Sequence, residues 1–458
     1  RVVYMTISKN SANERAQLYN AVMNRLRRQG FTLPLAIIST FLLIGCNEDD
    51  SSSAIVTPTL PPTIESIQTL AYTYGVRPFY LVNDMDDSPL KDELLACKGQ
   101  TPSKTDFSLA HRGAPLQFPE HTYDGYVASA QMGAGILECD VAFTNDGELV
   151  CRHAQNDLHT TTNIVATPLA NQCSVPPIID ANGTLTNAAD IECRTSDISV
   201  RDFKSLTGKM DAANPKATSI SAYMNATAPW RTDLYSQNGE VLTLKEHIAL
   251  ASSLGMKHTP ELKEPVVTMP FNGYSLDTYR QQLIDTYKVA GVPASDVYPQ
   301  SFNLADIDYW INNEPNYATN AVYLIDDSNE SAAGKIFDKN DPTTWKHSLA
   351  ELKARGVNII APATWLLVTS DGNGKLLPSA YALQAKANGL DILTWSLERS
   401  GPLKSGGGWY YGGLSDAINN DGDIMNVIDV LAQEVGVKGI FSDWPATVSY
   451  YANCKGLK

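Results

Sequence analysis

Two acidic residues, Glu138 and Asp140, stand two positions apart in an apolar stretch of the chain. On a β-strand this spacing puts both side chains on one face. Buried carboxylates that lie close together need a cation between them, and their hard oxygen atoms favour Ca²⁺ or Mg²⁺ over zinc or copper. A third acid, Glu261, precedes Lys263 on one face of a second strand. The pattern predicts that Glu138, Asp140 and Glu261 bind one divalent cation, Ca²⁺ or Mg²⁺, beside an anion. Simple pairing of these acids with lysines and arginines is the alternative.

Two histidines could carry out acid–base chemistry next to such a cation. His111 and Arg112 follow an apolar run, and His153 ends another. Cleavage of a phosphodiester needs a base to activate the attacking oxygen, an acid to protonate the leaving alcohol, and cations to offset charge on the phosphoryl oxygens. We therefore predict that His111 and His153 are the acid–base pair and that Arg112 and Lys263 contact the phosphate. The sequence leaves open which histidine is the base, and whether water or a hydroxyl group of the substrate attacks.

Other conspicuous features have weaker functional interpretations. Four further histidines are expected in helices or at the surface and are assigned no role: His121, His159, His247 and His258. The glycine-rich segment 406–413 is not a phosphate-binding P-loop, because no Lys-Ser or Lys-Thr pair follows it. It is expected either to rim the pocket, with Trp409 and Tyr410 contacting the alcohol part of the substrate, or to be a mobile loop.

From residue 107 onward, short apolar runs alternate with helical patterns, which is typical of parallel βα units. One helical pattern places Leu244, Ile248 and Ala251 on one face before a stop at Gly255. Nine strands are predicted, at residues 107–111, 136–143, 148–153, 257–263, 297–302, 321–325, 357–361, 391–396 and 439–443.

Nine strands are one too many for a (β/α)₈ barrel, and the link at residues 144–147 resolves the count. Parallel neighbours need a crossover of about a dozen residues, so a link of four residues can form only an antiparallel hairpin. The predicted fold is a TIM barrel of the α/β class with strand 148–153 as a hairpin arm, which brings His153 beside Glu138. The long polar segment at about 160–240 is expected to be an insertion over one end of the barrel.

The N-terminal region has the layout of a secretory signal. Arg25, Arg27 and Arg28 precede an apolar run at 31–44 that is too short to span a bilayer comfortably. The run ends in Leu43-Ile44-Gly45-Cys46, which resembles the lipobox of bacterial lipoproteins. Cys46 is therefore predicted to be lipidated and to anchor the exported protein to a membrane, on its periplasmic or cell-surface side; an ordinary signal peptide is the alternative.

We divide the chain into unassigned residues 1–22, a signal peptide at 23–45, a flexible tether at 46–75 and a catalytic domain at 76–458.

Six cysteines remain after Cys46, an even number that favours disulfide bonds in an exported protein. Cys173 with Cys193 is preferred, because this bond would close a polar loop. Cys97 with Cys454 would join the ends of the catalytic domain. For Cys139 and Cys151, the register of the hairpin decides whether the two side chains face each other.

Charge and composition limit the class of partner. The chain is 43% hydrophobic and 19% charged, which is ordinary for a globular enzyme. Its net charge of −15 argues against binding of nucleic acid, which requires a basic face. We expect a small-molecule substrate, no nucleic acid, and a membrane contact through lipidated Cys46; the oligomeric state is not determined.

The motifs occur in an order that resembles the glycerophosphodiester phosphodiesterase family, in a larger, secreted bacterial lipoprotein-type subgroup. The likeness covers about residues 107–446 and includes His111-Arg112-Gly113, Pro119-Glu120-His121-Thr122, Glu138-Cys139-Asp140-Val141, Asn145-Asp146-Gly147, His153, Glu261-Leu262-Lys263, Gln300-Ser301-Phe302, Thr394-Trp395 and Ser442-Asp443-Trp444-Pro445. The resemblance implies a metal-dependent barrel enzyme that hydrolyses glycerophosphodiesters to an alcohol and sn-glycerol 3-phosphate, with Trp395 at the substrate.

Two positions depart from the family's pattern. His121 replaces the usual Asn of a Pro-Glu-Asn-Thr motif, and Ala154 replaces the acid that often follows the second histidine. Neither change removes a catalytic group, but the partner that orients His153 is left unidentified. Glu120 is expected to hold Arg112 or a histidine in place.

Two other functions are compatible with parts of this pattern. A phospholipase D-like or phosphoinositide-type lipid phosphodiesterase would share the barrel and both histidines, whereas the motifs at 261–263 and 300–302 favour the glycerophosphodiesterase. A noncatalytic lipoprotein that binds ligands or partners would be expected to lack catalytic groups, yet all five predicted groups are present.

Overall fold

The predicted strands close into a barrel. A computed structural model describes residues 70–236 and 239–458. The strands of these residues are β1 (Thr105–Ala110), β2 (Ala134–Phe143), β3 (Leu149–Cys151), β4 (Thr207–Gly208), β5 (Gly239–Glu240), β6 (Lys257–Leu262), β7 (Gln300–Ser301), β8 (Val322–Ile325), β9 (Ile359–Pro362), β10 (Val368–Ser370), β11 (Leu376–Pro378), β12 (Asp391–Leu397) and β13 (Gly439–Ser442).

Eight parallel strands form the barrel in the order β1-β13-β12-β9-β8-β7-β6-β2, and pairing of β1 with β2 closes it. The ninth strand of the sheet, β3, pairs antiparallel to β2. The predicted TIM barrel with its hairpin arm is therefore confirmed. The carboxyl ends of the parallel strands meet at one mouth, which is where barrel enzymes hold their active sites.

Helices follow most of the barrel strands. The α-helices of the described residues are Arg77–Asp84, Pro89–Ala96, Tyr123–Gln131, Leu158–Thr161, Val200–Phe203, Ile220–Met224, Leu244–Ser253, Leu276–Ala290, Leu304–Asn313, Pro315–Ala318, Asp327–Glu330, Leu349–Arg355, Thr364–Leu367, Ala380–Ala387, Asp423–Asp429 and Ala446–Lys455. The helix predicted around Leu244 begins with a capping box, in which Thr243 and Glu246 each accept a hydrogen bond from the other's backbone N–H. It buries the predicted apolar face, and the chain leaves it through Gly255 at φ +69°.

Two predicted strands are shorter than expected by three residues or more. The strand predicted at 297–302 is reduced to Gln300–Ser301, because Pro299 has no N–H to offer a neighbouring strand. The arm predicted at 148–153 pairs only over Leu149–Cys151. His153 consequently lies in the loop after the arm.

Apolar side chains fill the barrel. One cluster joins Leu109, Ile136, Val322, Leu393 and Phe441 from five barrel strands. A larger cluster lies between the strands and the surrounding helices. These two layers hold the strands, and therefore their carboxyl ends, in fixed relative positions.

The insertion between β3 and the helix Leu244–Ser253 has a small apolar core of its own, which includes Leu158, Phe203 and Tyr223. The preferred disulfide bond within it, Cys173–Cys193, is present, and so is Cys97–Cys454. Cys139–Cys151 also forms. Val141 pairs directly with Cys151, and Cys139 lies on the same face of β2 as Val141, so it reaches Cys151 diagonally.

Residues 1–69 lie outside the described residues, and with them the predicted signal peptide, Cys46 and most of the predicted tether. The described end of that tether contacts the catalytic domain. Tyr74 is buried and donates a hydrogen bond of 2.9 Å to Oδ1 of Asn453. Within residues 70–236 and 239–458, the helices are too short or too polar for any of them to cross a membrane.

Candidate active site

Three buried carboxylates meet at the mouth of the barrel, at Glu138 and Asp140 of β2 and Glu261 of β6. Asp140 stands directly opposite Glu261 in the register of the two strands. One carboxylate oxygen from each of the three lies within 4.8 Å of the others. Oδ1 of Asp140 is buried and has no hydrogen-bond partner among the described residues. An oxygen-only set with an unpartnered carboxylate oxygen fits a divalent cation such as Ca²⁺ or Mg²⁺.

The electrostatics of the three acids show why they need positive charge. Burial and the negative charges of the neighbouring carboxylates raise the pKa of Glu138 well above its usual range. Burial, together with Asp140, raises the pKa of Glu261 to about 8, although Lys263 opposes this shift with a hydrogen bond of 2.6 Å. Burial also disfavours ionisation of Asp140, but attraction and a hydrogen bond from His121 outweigh it and hold this pKa well below its usual range. Without a cation, Glu261 therefore largely retains its proton at neutral pH, and burial and neighbouring charge disfavour the ionised form of Glu138.

The expectation that His121 lies in a helix or at the surface is wrong. The chain turns at His121 with φ +54°, and Arg152 donates hydrogen bonds of 2.6 and 3.1 Å to the carbonyl oxygens of Glu120 and His121. The imidazole is fully buried, with Nε2 at 2.8 Å from Oδ2 of Asp140. His121 thus orients a predicted metal ligand. His258, also expected in a helix or at the surface, is buried in β6.

His111 has a carboxylate partner that was not predicted. It follows β1 and Asp443 follows the neighbouring strand β13, and the register of those strands puts the two residues side by side. Nδ1 of His111 lies 2.6 Å from Oδ1 of Asp443. Burial raises the pKa of Asp443, but Arg399 and His111 outweigh it and lower the pKa below its usual range. Because the ionised carboxylate can only accept, Nδ1 of His111 carries the hydrogen and Nε2 is left for chemistry.

Both predicted catalytic imidazoles are neutral at pH 7. Burial, followed by the charge of Arg112, lowers the pKa of His111 to about 4. Burial and the charges of Arg112 and Lys263 hold the pKa of His153 well below its usual range. Among the described residues, no side chain forms a hydrogen bond with the His153 ring. His153 lies two residues beyond Cys151, which ends the hairpin arm and is bonded to Cys139.

Most of the predicted groups line one cavity of about 270 Å³. Its lining residues are His111, Arg112, Glu138, His153, Glu261, Phe302, Leu324, Asp326, Trp395, Tyr410 and Phe441. The barrel and its arm therefore bring together both histidines, two of the three acids and the predicted phosphate-binding arginine.

This arrangement is accompanied by a match to a known family. Residues 111–447, most of the chain, match the glycerophosphoryl diester phosphodiesterase family. The chain belongs to this family. It is a phosphodiesterase, as its motifs predicted.

Individual relatives agree with this assignment. The chain is 22% identical over 367 residues to a glycerophosphodiester phosphodiesterase of Arabidopsis thaliana, covering 76% of this chain and 86% of the plant protein. It is 45% identical over 253 residues to an "Extracellular protein" of Arthroderma benhamiae, covering 54% of this chain and all of the fungal protein. A family member from Silicibacter pomeroyi shares the fold, with a TM-score of 0.50 at 17% identity over 80% of this chain and 98% of that structure.

The finer assignment to a bacterial lipoprotein subgroup is not shown by these comparisons. The two relatives described by sequence come from a plant and a fungus. Cys46, on which that subgroup prediction depends, lies outside the described residues.

In this phosphodiesterase, Arg112 is held by acids on two sides. Nη1 donates to Oε2 of Glu120 at 3.3 Å, and Nε lies 3.7 Å from Oδ2 of Asp140. The backbone N–H of Arg112 donates to Glu138 at 2.8 Å. The expected contact between Glu120 and Arg112 is thus present. Arg112 has φ +57°, a conformation that these contacts must hold in place.

Aromatic side chains also line the phosphodiesterase cavity. The Nε1–H of Trp395 donates a hydrogen bond of 2.9 Å to the carbonyl oxygen of Ala361. Only the apolar face of its ring is therefore available to a substrate. Tyr410 lines the cavity as expected, whereas Trp409 packs against Trp395 at 5.7 Å and is 42% exposed. Lys263 lines an adjoining groove of about 670 Å³, which also includes Glu261.

Five residues that contact the site have no role predicted from the sequence, although three of them belong to its family motifs: His121, Arg231, Gln300, Arg399 and Asp443. Gln300 donates a hydrogen bond of 2.8 Å to Oε1 of Glu138. A signal existed for Asp443, because it follows the last barrel strand as His111 follows the first, and barrel closure makes those strands neighbours. Arg231 carried no such signal, because it lies in the insertion.

The Cys139–Cys151 bond should matter for both stability and turnover. It closes a short loop, over a sequence separation of 12, and His153 lies two residues beyond Cys151. The variant Cys139→Ala/Cys151→Ala is expected to lose about 3 kcal/mol of unfolding free energy and to have a lower kcat, because His153 is then less well fixed. Urea unfolding and steady-state kinetics measure the two effects.

Cys97→Ala/Cys454→Ala, whose bond lies away from the cavity lining, is the matched control and should lose stability with an unchanged kcat. Equal kcat values in the two double variants would contradict this prediction.

Proposed function

We propose that this phosphodiesterase hydrolyses glycerophosphodiesters to an alcohol and sn-glycerol 3-phosphate, using one divalent cation and the two histidines His111 and His153. The observation that carries the proposal is a single cavity of about 270 Å³ that both imidazoles line together with Glu138 and Glu261. Acid–base groups and a cation site on one small cavity are what phosphodiester hydrolysis requires.

Glu138, Asp140 and Glu261 would hold the cation. Their oxygen atoms are buried, close together and negatively charged once ionised, which fits Ca²⁺ or Mg²⁺. When bound, such an ion supplies positive charge that offsets the charge developing on the phosphoryl oxygens. Gln300 and His121 keep two of these carboxylates oriented through hydrogen bonds of 2.8 Å each.

The imidazoles move the protons of the reaction. One neutral imidazole takes the proton from the attacking oxygen as the new P–O bond forms. The other imidazole is neutral in the free enzyme and gains a proton when the negatively charged phosphodiester binds beside it. It gives this proton to the alcohol oxygen as the old P–O bond breaks, so that the alcohol leaves neutral. Asp443 fixes the tautomer of His111 and stabilises its protonated form.

Arg112 binds the phosphate from the cavity wall. Glu120 and Asp140 hold its guanidinium from two sides, and a preorganised cation stabilises the transition state without reorganisation. Lys263 adds positive charge from the adjoining groove, through its contact with Glu261. The ring of Trp395 lies across the cavity as an apolar contact for the substrate.

Metal binding should release protons at neutral pH. Burial and nearby negative charge raise the pKa of both glutamates, that of Glu261 to about 8, so Glu261 is largely protonated at pH 7 and must ionise to bind a cation. The affinity for the cation is therefore expected to rise with pH up to about 8, with release of about one proton or more per ion at pH 7. Calorimetric titration at pH 7 in buffers of different ionisation enthalpy measures this release. Identical heats in all buffers would contradict it, and titration at pH 9 should show a smaller release.

The deciding experiment is a substrate panel after chelation and re-addition of each ion. Glycerophosphocholine, glycerophosphoethanolamine and glycerophosphoinositol should each be tested for release of sn-glycerol 3-phosphate. Chelation is expected to abolish turnover, and Ca²⁺ or Mg²⁺ to restore it. Sphingomyelin and lysophosphatidylcholine are the comparison substrates. Turnover of the lipids alone would contradict the proposal and favour a lipid phosphodiesterase.

We also propose that the chain is exported and anchored to a membrane through lipidated Cys46. Support comes from the sequence Leu43-Ile44-Gly45-Cys46 after an apolar run, and from three disulfide bonds, which persist in oxidising compartments. Cys46→Ala should move the protein from the membrane fraction of a lipoprotein-processing bacterial host to the soluble fraction. An unchanged distribution would contradict the anchor.

A further inference from the structure

Arg231 of the insertion contacts the active site. Its Nη2 donates to Oδ2 of Asp443 at 3.1 Å and to the backbone carbonyl oxygen of Arg399 at 3.3 Å. The Arg231 side chain is 7% exposed and that of Asp443 is fully buried. The other oxygen of Asp443, Oδ1, bonds His111 at 2.6 Å. A side chain from outside the barrel therefore contacts the acid that orients a proposed catalytic imidazole.

The backbone around Arg231 is fixed against the barrel. On one side, the Trp230 ring packs over Gly401, where a Cβ would lie about 3.5 Å from the ring atoms. On the other side, Tyr235 stacks on Phe118 with ring centroids 4.5 Å apart. Gly401 and Phe118 belong to loops that follow two barrel strands at the mouth. These contacts place Arg231 over Asp443.

A second arginine holds the same oxygen from within the barrel. Nη1 of Arg399 lies 3.3 Å from Oδ2 of Asp443, and its Nη2 lies 3.4 Å from Oε2 of Glu120. Oε2 of Glu120 also accepts from Arg112. A carboxylate with two donors on one oxygen and an imidazole on the other cannot rotate without breaking charge-assisted hydrogen bonds. The orientation of Asp443 thus depends on both arginines.

We propose that Arg231 is a positioning residue of the active site: it fixes Asp443, which fixes His111, so that the insertion completes the catalytic centre. The proposal rests on the proposed acid–base role of His111. Arg231 does not line the cavity, so its loss should disturb the imidazole more than the binding of substrate. Arg399 stays on Asp443 when Arg231 is removed, so the buried carboxylate keeps a cationic partner and the fold is retained.

The test uses two neutral variants of the full-length enzyme, Arg231→Met and Arg231→Gln. Both are expected to lower kcat about 10- to 100-fold, as displacement of a catalytic group by about 1 Å does, with KM within about threefold of wild type. Arg194→Met is the matched control, because Arg194 lies in the same insertion and pairs with Glu192 at 2.9 Å. It should leave both kinetic constants unchanged.

Glycerophosphocholine is the assay substrate, and thermal unfolding reports whether each variant is folded. A folded Arg231 variant with kcat within about threefold of wild type would overturn the proposal. An equal loss of kcat in Arg194→Met, or a rise in KM at constant kcat, would also overturn it. If Arg231→Met does not fold, the kcat of Arg231→Gln tests the proposal. Wild-type enzyme that fails to hydrolyse any glycerophosphodiester would contradict the proposed function instead, so it is assayed first.

Discussion

Replacement of His111 or His153 by alanine is expected to lower kcat about a thousandfold, within the range seen for loss of a general acid or base. The fold should survive either change. Asp443 keeps Arg231 and Arg399 as partners when His111 is removed, so no buried carboxylate is left unpaired. Steady-state turnover of glycerophosphocholine measures the loss, and circular dichroism and metal titration should match wild type.

The control for this experiment is another histidine of the same chain. His159 lies in the insertion, where its Nδ1 accepts a hydrogen bond from the backbone N–H of Cys193. His159→Ala should therefore retain turnover within about twofold of wild type. In the double variant His111→Ala/His153→Ala, the loss should be far smaller than the product of the single losses, because groups that act in one step are not additive. Retention of most activity in either single variant would refute the acid–base assignment.

Glu261→Gln is expected to lower turnover about a thousandfold, equivalent to about 4 kcal/mol, by removing a charged ligand from the proposed cation site. The substitution removes one of the three carboxylate charges and breaks the 2.6 Å ion pair between Glu261 and Lys263. The affinity for Ca²⁺ and Mg²⁺ should fall with it. Calorimetric titration and turnover after chelation and re-addition of each ion measure both effects.

Glu264→Gln provides the matched control, because Glu264 follows in the same segment and lines the adjoining groove without belonging to the carboxylate cluster. It should bind the cation and turn over substrate as the wild type does. Chelation should abolish the activity of this control and leave the residual activity of Glu261→Gln unchanged. Normal metal affinity and turnover in Glu261→Gln would contradict the cation site.

Much of the barrel could be predicted from the sequence because its signals are local. Side chains alternate between the two faces of a strand, so Glu138 and Asp140 share one face independently of the rest of the chain. A link of four residues between two strands permits only a hairpin, and this alone predicts that His153 lies close to those acids. The three cysteine pairs considered from the sequence are all bonded in the structure.

The partners of the catalytic groups depended on tertiary structure. His121 was assigned no role, because nothing in its neighbours reveals the turn at φ +54° that directs its ring to Asp140. Asp443 meets His111 only because the first and last barrel strands become neighbours, across a separation of 332 residues. Arg231 reaches Asp443 from a segment without barrel periodicity.

The sequence by itself predicted the fold class and the family, and it singled out the three acids and two histidines of the proposed active site. Tertiary structure decided which side chains hold His111, Glu138 and Asp140 in place. The physical reason is separation along the sequence. Strand alternation and turn length depend on a few neighbouring residues, whereas the hydrogen bond from Arg231 to Asp443 joins residues 212 positions apart. Such contacts form only when barrel closure and the docking of the insertion bring those segments together.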